Sequence, residues 1–159
     1  PSIEKLAARG DPEAIAFPRT YLDKESLDFS FSGIKTAVLY HCRGQDMRGE
    51  DRTAAMSAQE KADIAASFQA AVVDVLVDKT MRAARRVDAR TVLLGGGVAA
   101  NTRLREQMRS RCRAENRRLL VAEKKYCTDN AAMVAGLAYY KLQAGQFADL
   151  YLEPLPQQV

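Results

Sequence analysis

Three consecutive glycines, Gly95–Gly97, stand between an apolar run and a polar residue, Asn101. Glycines lack a Cβ, so their backbone can approach a ligand closely, and the helix predicted behind them offers N–H groups to an anion or to the polar edge of a ring. The Asn101 amide can hydrogen-bond a ribose or a phosphate. The pattern is typical of a nucleotide site, although a tight turn with Asn101 as the N-cap of the next helix would give the same sequence.

The carboxylate of Asp129 is the second candidate for chemistry. It follows Cys127 and Thr128 at the start of the last predicted helix, where it could bind a cation or cap the helix. The sequence has one histidine, His41, for which we predict a structural role. No Ser-His-Asp or Cys-His arrangement can therefore be assigned, we name no catalytic residue, and the spacing reveals no set of three protein metal ligands.

A strand, helix and second strand are predicted to position these residues. Thr91–Leu94 is a short β-branched and apolar run that ends at the glycines, and Arg118–Ala122 is a second run of this kind. Between them, Leu104, Met108 and Cys112 form the apolar stripe of a helix. Because a helix joins the two strands, we expect them to pair in parallel in one small sheet, with a right-handed crossover.

The rest of the chain is predicted to be mostly helical. A capping-box pattern at Ser57–Glu60 opens the longest predicted helix, and Ser32 is expected to cap an earlier one. Gly44–Thr53 reads as a polar loop. The remaining helical patterns cover Ser2–Arg9, Ser32–Gly44, Ser57–Val87 and Thr128–Ala144, the last with Met133, Val134, Leu137 and Tyr140 on its apolar side. The fold class is therefore α/β, rich in helix, with a small sheet.

Composition excludes several classes of protein. With 159 residues, 47% hydrophobic and 28% charged, the chain can form a globular core, and collagen-like or disordered classes are excluded. No apolar run approaches the ~20 residues of a membrane span. Cys42, Cys112 and Cys127 lack the spacing of a disulfide framework or metal site, so we expect reduced thiols and a cytoplasmic location. A net charge of +4 permits a nucleic-acid partner without requiring one.

Three motifs in order carry a resemblance to a known family. They are Asp28–Thr36 (DFSFSGIKT), Gly96–Asn101 (GGVAAN) and Cys127–Asn130 (CTDN). Together they resemble the TsaD family of tRNA threonylcarbamoyladenosine biosynthesis transferases, formerly called glycoproteases, over nearly the whole chain. The resemblance implies one lobe of the sugar kinase, Hsp70 and actin (ribonuclease H-like) superfamily. It also implies that residues 1–159 are the C-terminal part of a two-lobe protein whose N-terminal lobe carries an H-x-x-x-H motif absent here.

The resemblance also implies an activity and a set of ligands. The activity is transfer of a threonylcarbamoyl group from threonylcarbamoyl-adenylate to the adenosine next to the tRNA anticodon. Gly96, Gly97 and Asn101 would contact ATP or the adenylate, and Asp129 would join two histidines of H-x-x-x-H around one iron or zinc ion. The implied partners are tRNA and the TsaB-like and TsaE-like proteins of the same pathway, with no membrane. Without the other lobe we expect an inactive chain that binds metal and ATP weakly at best.

Two other functions remain open at this point. One is a non-catalytic TsaB-like partner subunit, against which Asp129 argues because such a partner needs no metal ligand. The other is a metalloendopeptidase, as the glycoprotease name suggests, but the sequence contains no H-E-x-x-H motif.

Basic residues on the predicted helix behind the glycines form a candidate tRNA surface. Arg105, Arg109 and Arg113 repeat every four residues on its expected solvent face and could meet phosphates. We call this set and its neighbours the basic stripe: Arg105, Arg109, Arg113, Arg117, Arg118, Lys124 and Lys125. An ordinary solvated helix face would look the same. Lys35, which falls in the first turn of a predicted helix, is expected to face the nucleotide cleft, although a surface lysine with a solvated head would fit the sequence equally well.

Overall fold

The computed structural model describes residues 2–19, 25–44, 51–149 and 151–152. Within these ranges the chain forms five α-helices and two strands, joined in part by short 3₁₀ helices. In chain order they are α1 (Ser2–Ala7), α2 (Ser32–Arg43), α3 (Ala58–Arg86), β1 (Thr91–Leu94), α4 (Thr102–Ala114), β2 (Arg118–Val121) and α5 (Ala131–Gln143). The predicted helix-rich α/β class is therefore confirmed.

The two strands form one parallel sheet. Thr91 pairs with Arg118 and Leu94 with Val121, and α4 connects the strands. This confirms the predicted strand-helix-strand unit and its parallel pairing. Parallel pairing brings the C-terminal ends of β1 and β2 to the same edge of the sheet, so the segments that follow them begin side by side.

The core lies between α3, α4 and the sheet. Met81 of α3 is fully buried, and it packs in one cluster with Met108 and Cys112 of α4 and with Val92 of β1. Leu104 is buried in the same cluster. The apolar stripe predicted for α4 is thus confirmed, and it fixes which face of α4 is turned toward α3.

A capping box opens α3 as predicted. The Ser57 hydroxyl accepts a hydrogen bond from the Glu60 N–H at 3.1 Å, and the Ser57 N–H donates to the Glu60 carboxylate at 2.7 Å. These reciprocal bonds satisfy backbone donors that the first helical turn would leave unpaired. The helix then continues to Arg86.

The start of α2 corrects the prediction for Ser32. The N-cap is Phe31, which forms no capping hydrogen bond through its side chain, and Ser32 is the first helical residue. Ser32 already contributes its carbonyl to the helix, where it accepts from the Thr36 hydroxyl at 3.1 Å. The predicted Gly44–Thr53 loop falls partly outside the described residues, and its last part begins a short 3₁₀ helix, Arg52–Ala54.

Close backbone packing holds α1 and the turn after it against α3. A Cβ on Gly10 would lie only 2.0 Å from the Ala62 carbonyl oxygen, so this position requires glycine. The helix itself is shorter than the predicted Ser2–Arg9, because a turn replaces it after Ala7.

The last helix, α5, contacts little else. It begins at Ala131 rather than at the predicted Thr128, since Asn130 is its N-cap, and none of its residues is buried. The apolar side predicted from Met133, Val134, Leu137 and Tyr140 is exposed, with Tyr140 at 70%. Among the described residues no helix is both long enough and apolar enough to cross a bilayer.

Candidate functional site

The segment that we call the glycine loop, Gly95–Val98, follows the C-terminal end of β1 in an exposed position. Gly96 has a φ of 84°, a conformation that favours glycine, and no atom lies within 4 Å of where a Cβ would be at Gly95 or Gly96. Within the described part of the chain, the four N–H groups of this loop have no hydrogen-bond acceptor. The loop therefore offers consecutive donors to an anion from solvent.

Asn101 is the N-cap of α4, as the structural alternative predicted. Its side-chain oxygen accepts a hydrogen bond from the Leu104 N–H at 3.0 Å, and its amide donates to the Gln69 side-chain oxygen at 2.8 Å. Gln69, on α3, thereby fixes the orientation of the amide. Sequence reasoning missed Gln69 because nothing in its local pattern indicates a partner 32 positions away. One amide hydrogen is left for a ligand, so a contact with nucleotide stays a prediction.

The N-terminus of α4 is already occupied by a carboxylate. Glu4 of α1 accepts a hydrogen bond from the Thr102 N–H at 2.7 Å. This bond is the main reason that the pKa of Glu4 lies below its ordinary value, with smaller help from the Thr102 hydroxyl and the Lys124 charge. The sequence predicted that the start of this helix would offer its N–H groups to a ligand. In the structure, Glu4 and Asn101 already accept hydrogen bonds from N–H groups at the start of α4. The glycine loop is therefore the better candidate to offer donors to a ligand.

Asp129 is exposed on the segment that follows β2. Asn130, not Asp129, caps α5, since the Asn130 side-chain oxygen accepts from the Met133 N–H at 3.1 Å. The capping alternative for Asp129 is therefore wrong. Among the residues that the structure describes, nothing donates a hydrogen bond to the Asp129 carboxylate, which leaves both oxygens open to a cation.

The two candidate segments lie next to each other. A Cβ placed on Gly97 would be 3.8 Å from the Cys127 carbonyl oxygen, an ordinary contact distance. Lys124 also donates to the Thr102 hydroxyl at 3.4 Å. The fold thus gathers Gly96, Gly97 and the Cys127–Asp129 segment at the edge where both parallel strands end, the place where open α/β sheets bind ligands.

Arg105 joins these segments, which corrects its predicted place on the solvent face. The side chain is half-buried; its Nε donates to the Ala99 carbonyl at 2.5 Å, and Nη2 donates to the Ala122 carbonyl at 2.7 Å. Nη2 also lies 3.2 Å from the Sγ atom of Cys127, which is buried. Periodicity placed Arg105 with Arg109, but the side chain turns back over the helix start toward these acceptors.

A second member of the basic stripe is also engaged. Arg117 is half-buried and donates to the Ala89 carbonyl and to Glu115. Lys125 is exposed but pairs with Glu123 at 2.9 Å. Arg109, Arg113, Arg118 and Lys124 are the exposed members of the stripe without such a carboxylate partner among the described residues.

Lys35 does not face the candidate site, contrary to expectation. It lines a groove of about 410 Å³ whose other walls are mainly apolar residues of α1, α2 and α3, and none of the candidate site residues lines that groove. His41, also on α2, places its ring edge-to-face against Phe17, with the ring centroids 5.9 Å apart. This contact agrees with the structural role predicted for the histidine.

The chain by itself offers little of a metal site. In the described ranges no three His, Cys, Asp or Glu side chains come together in a way that could hold a metal ion. All three cysteines are free thiols, as predicted, with Cys112 and Cys127 buried. Of the candidate-site residues that the structure describes, Asp129 has the exposure and the open carboxylate that a metal ligand needs.

Comparison with known proteins gives one consistent result. The family model of TsaD, tRNA N6-adenosine threonylcarbamoyltransferase, matches residues 1–136. The chain is 47% identical over 161 residues to the enzyme of that name from Moorella thermoacetica, covering 98% of this chain and 44% of the relative. The relative from Symbiobacterium thermophilum is 47% identical over 98% of this chain and 43% of its own length, and that from Thermotoga neapolitana is 43% identical over 98% and 44%.

The chain thus spans less than half the length of these curated relatives, and it aligns with their C-terminal portion. The match covers the glycine loop, Asn101 and Asp129. The chain belongs to the TsaD family of tRNA N6-adenosine threonylcarbamoyltransferases.

Proposed function

We propose that residues 1–159 form the C-terminal lobe of an enzyme that transfers a threonylcarbamoyl group from threonylcarbamoyl-adenylate to an adenosine of tRNA. The observation that supports this most directly is the glycine loop. Its four N–H groups have no acceptor among the described residues, and it lies next to Cys127, two residues before Asp129. The names of the relatives give the transferred threonylcarbamoyl group and the adenosine of tRNA that receives it. The TsaB-like and metalloendopeptidase alternatives gain no support from these names.

The glycine loop would bind the phosphate of the adenylate, or of ATP in the resting protein. When the adenosine amine attacks the carbamoyl carbon, the bond to the phosphate oxygen breaks and negative charge develops on the departing adenosine monophosphate. N–H groups already aimed at that phosphate stabilise the charge without having to reorganise. Asn101 would add its remaining amide hydrogen to the ribose or the phosphate, and this set of contacts would hold the carbamoyl group in place for attack.

Asp129 fits the role of one protein ligand to an iron or zinc ion. Its carboxylate is exposed and accepts no hydrogen bond from the described residues, so binding a cation there breaks no existing contact. When bound, such a metal polarises a carbamoyl or phosphoryl oxygen. The other protein ligands would be the two histidines of an H-x-x-x-H motif in the N-terminal lobe.

The fold of the lobe, the partners and the cellular location are also part of this proposal. The β1–α4–β2 unit would belong to a ribonuclease H-like lobe, with the nucleotide lying between it and a second lobe. The partners would be tRNA and the TsaB-like and TsaE-like proteins of the pathway, in the cytoplasm. For tRNA, the candidate contacts are the four exposed members of the basic stripe that have no carboxylate partner among the described residues.

A chimera tests this function. The N-terminal portion of the Moorella thermoacetica relative is fused to this chain and assayed for threonylcarbamoyl transfer to tRNA. Gly96→Ala places a methyl group in the loop, whereas Gly145→Ala is a matched control, since Gly145 also has a positive φ (67°) and open space around it. We expect Gly96→Ala to weaken ATP binding by roughly tenfold, the cost of about one lost or displaced hydrogen bond, and Gly145→Ala to leave it unchanged.

Two results would contradict the proposal. One is a folded chimera that transfers nothing while the intact relative is active. The other is equal ATP affinity in the two glycine variants, which would mean that the loop does not meet the nucleotide.

A further inference from the structure

We propose that Arg105 is a positioning residue that holds the glycine loop and the Asp129 segment in one fixed relation. The inference rests on the proposed function for its chemical meaning, but its structural part can be tested without activity. The Arg105 guanidinium lies between the two segments. One side chain contacts Ala99 directly behind the glycine loop, Ala122 directly after β2, and Cys127 on the segment that leads to Asp129.

The first contact fixes the turn behind the glycine loop. The Arg105 Nε–H donates to the carbonyl of Ala99, which is buried in the 3₁₀ helix Gly97–Ala100. That same short helix is closed by a bond from the Ala99 N–H to the Gly96 carbonyl at 3.0 Å. Arg105 therefore holds the loop through Ala99, whose N–H is itself hydrogen-bonded to the Gly96 carbonyl.

The second and third contacts fix the other segment. Nη2 donates to the Ala122 carbonyl at 2.7 Å and approaches the Cys127 Sγ at 3.2 Å. Ala122 directly follows β2, and Cys127 lies two residues before Asp129. The buried Cys127 thiol in turn contacts the Glu123 carbonyl at 3.5 Å. The chain between β2 and Asp129 is thus held at both ends by one nitrogen of Arg105.

Arginine suits this task better than any other residue. Its planar guanidinium directs several donors at fixed angles, whereas a lysine ammonium is a single point of charge on a flexible chain. The position also conflicts with a simple surface role. Arg105 lies in the first turn of α4, where a cation is unfavourable with respect to the helix dipole, so its contacts must offset that cost.

Hydrogen exchange in this chain tests the coupling directly. Arg105→Met keeps the apolar stem but removes every donor. Arg111→Met is the matched control, since Arg111 lies on the same helix, is exposed, and forms no side-chain hydrogen bond or ion pair with a described residue. Hydrogen bonds to charged groups are strong enough that their loss should speed local exchange by roughly tenfold or more. We expect this at the hydrogen-bonded amides of both segments for Arg105→Met, and at none of them for Arg111→Met. These amides are Ala99 and Asn101 in the first segment, and Ala122, Tyr126 and Cys127 in the second.

A second, more conservative variant keeps the test decisive if Arg105→Met does not fold. Arg105→Lys retains the charge but cannot hold acceptors on both segments, so at least one of the two segments should exchange faster. Wild-type protection of both segments in either variant that folds would overturn the proposal. So would faster exchange across the whole chain in Arg105→Lys, because that would show a general loss of stability instead of release of these segments.

The chimera connects the coupling to function. A residue that only supports the fold would lower the active fraction, and thus kcat, without changing substrate affinities. We expect Arg105→Met to raise the ATP dissociation constant roughly tenfold, in line with misplaced phosphate donors, with the KM for tRNA unchanged. Unchanged ATP affinity beside released segments would overturn the positioning role. A wild-type chimera that binds no ATP, beside released segments in this chain, would instead point to failure of the proposed function.

Discussion

The Asn101 side chain makes two structural hydrogen bonds at the candidate site. Its oxygen caps α4 and its amide is held by Gln69, so removing it affects the fold before any ligand is considered. We expect Asn101→Ala to lower the free energy of unfolding by about 1 kcal/mol, the usual cost of a lost N-cap. Urea denaturation of this chain measures it.

Asn101→Asp separates the cap from a role in binding. Aspartate caps a helix as well as asparagine does, and Gln69 can turn its amide to donate to the second carboxylate oxygen. Stability should therefore stay within about 0.5 kcal/mol of the parent chain. In the chimera, however, its negative charge would repel a bound phosphate and weaken ATP affinity. If ATP binds Asn101→Asp as tightly as the parent chimera, Asn101 is a cap and nothing more.

The ionisation of Glu4 makes the stability of the folded chain depend on pH. Because the hydrogen bond from Thr102 lowers its pKa from the ordinary 4.5, the folded state favours the ionised carboxylate. Its contribution is therefore fully present above pH 4.5 and is lost as the pH falls through the lowered value. A carboxylate at a helix N-terminus stabilises by roughly 0.3–1 kcal/mol.

Thermal unfolding of the parent chain and Glu4→Gln over a range of pH checks this. At neutral pH the variant should melt lower, and the two curves should converge in acid, where the parent carboxyl is also neutral. A difference in melting temperature that persists at the lowest pH would show that the charge of Glu4 is not the cause.

At the scale of elements, α3 and α5 offer the same residue type in opposite surroundings. Met81 of α3 is fully buried in the core, whereas Met133 of α5 is 55% exposed. Met81→Ala should cost roughly 2–5 kcal/mol through lost contacts and a cavity. Met133→Ala should change stability by less than about 0.5 kcal/mol. Chemical denaturation of both variants tests the contrast, and a large loss for Met133→Ala would mean that α5 packs against other parts of this chain.

Local patterns predicted the elements well because their causes are local. The period of Leu104, Met108 and Cys112 fixes the buried face of α4, and the Ser57–Glu60 spacing fixes the start of α3. The resemblance found the candidate site, but what surrounds the site was not predictable. Arg105 repeats with the solvent-facing arginines, and only the tertiary fold brings the carbonyls of Ala99 and Ala122 within its reach.

At the scale of the whole molecule, two apolar surfaces have no cover among the described residues. One is the outer face of the sheet, where Leu93 is 76% exposed, and the other is α5. Strands of parallel sheets are normally covered on both faces, and large exposed apolar surfaces mark interaction sites. The chain spans only 44% of its Moorella relative. The proposed activity should therefore be measured in the chimera, which supplies the remaining portion.

Charge on the molecular surface leads to a prediction for tRNA. Reversing the exposed Arg109 and Arg113 to glutamate should weaken tRNA binding by the chimera and reduce the salt slope by about two, one for each lost phosphate contact. Reversing Arg9 and Arg52, which are exposed on segments before α3, makes the same change in net charge and serves as the control. Equal losses in both double variants would assign the effect to net charge instead of to the basic stripe.

The hydrogen bond between Glu4 and Thr102 joins residues 98 positions apart. Chain segments that are near in sequence meet sooner, because closing a longer loop costs more entropy and distant contacts slow folding. We therefore expect α3, β1, α4 and β2 to assemble before α1 reaches the start of α4. The helix behind the glycine loop would then receive its last cap late in folding, so the site would be among the final parts of the chain to take shape.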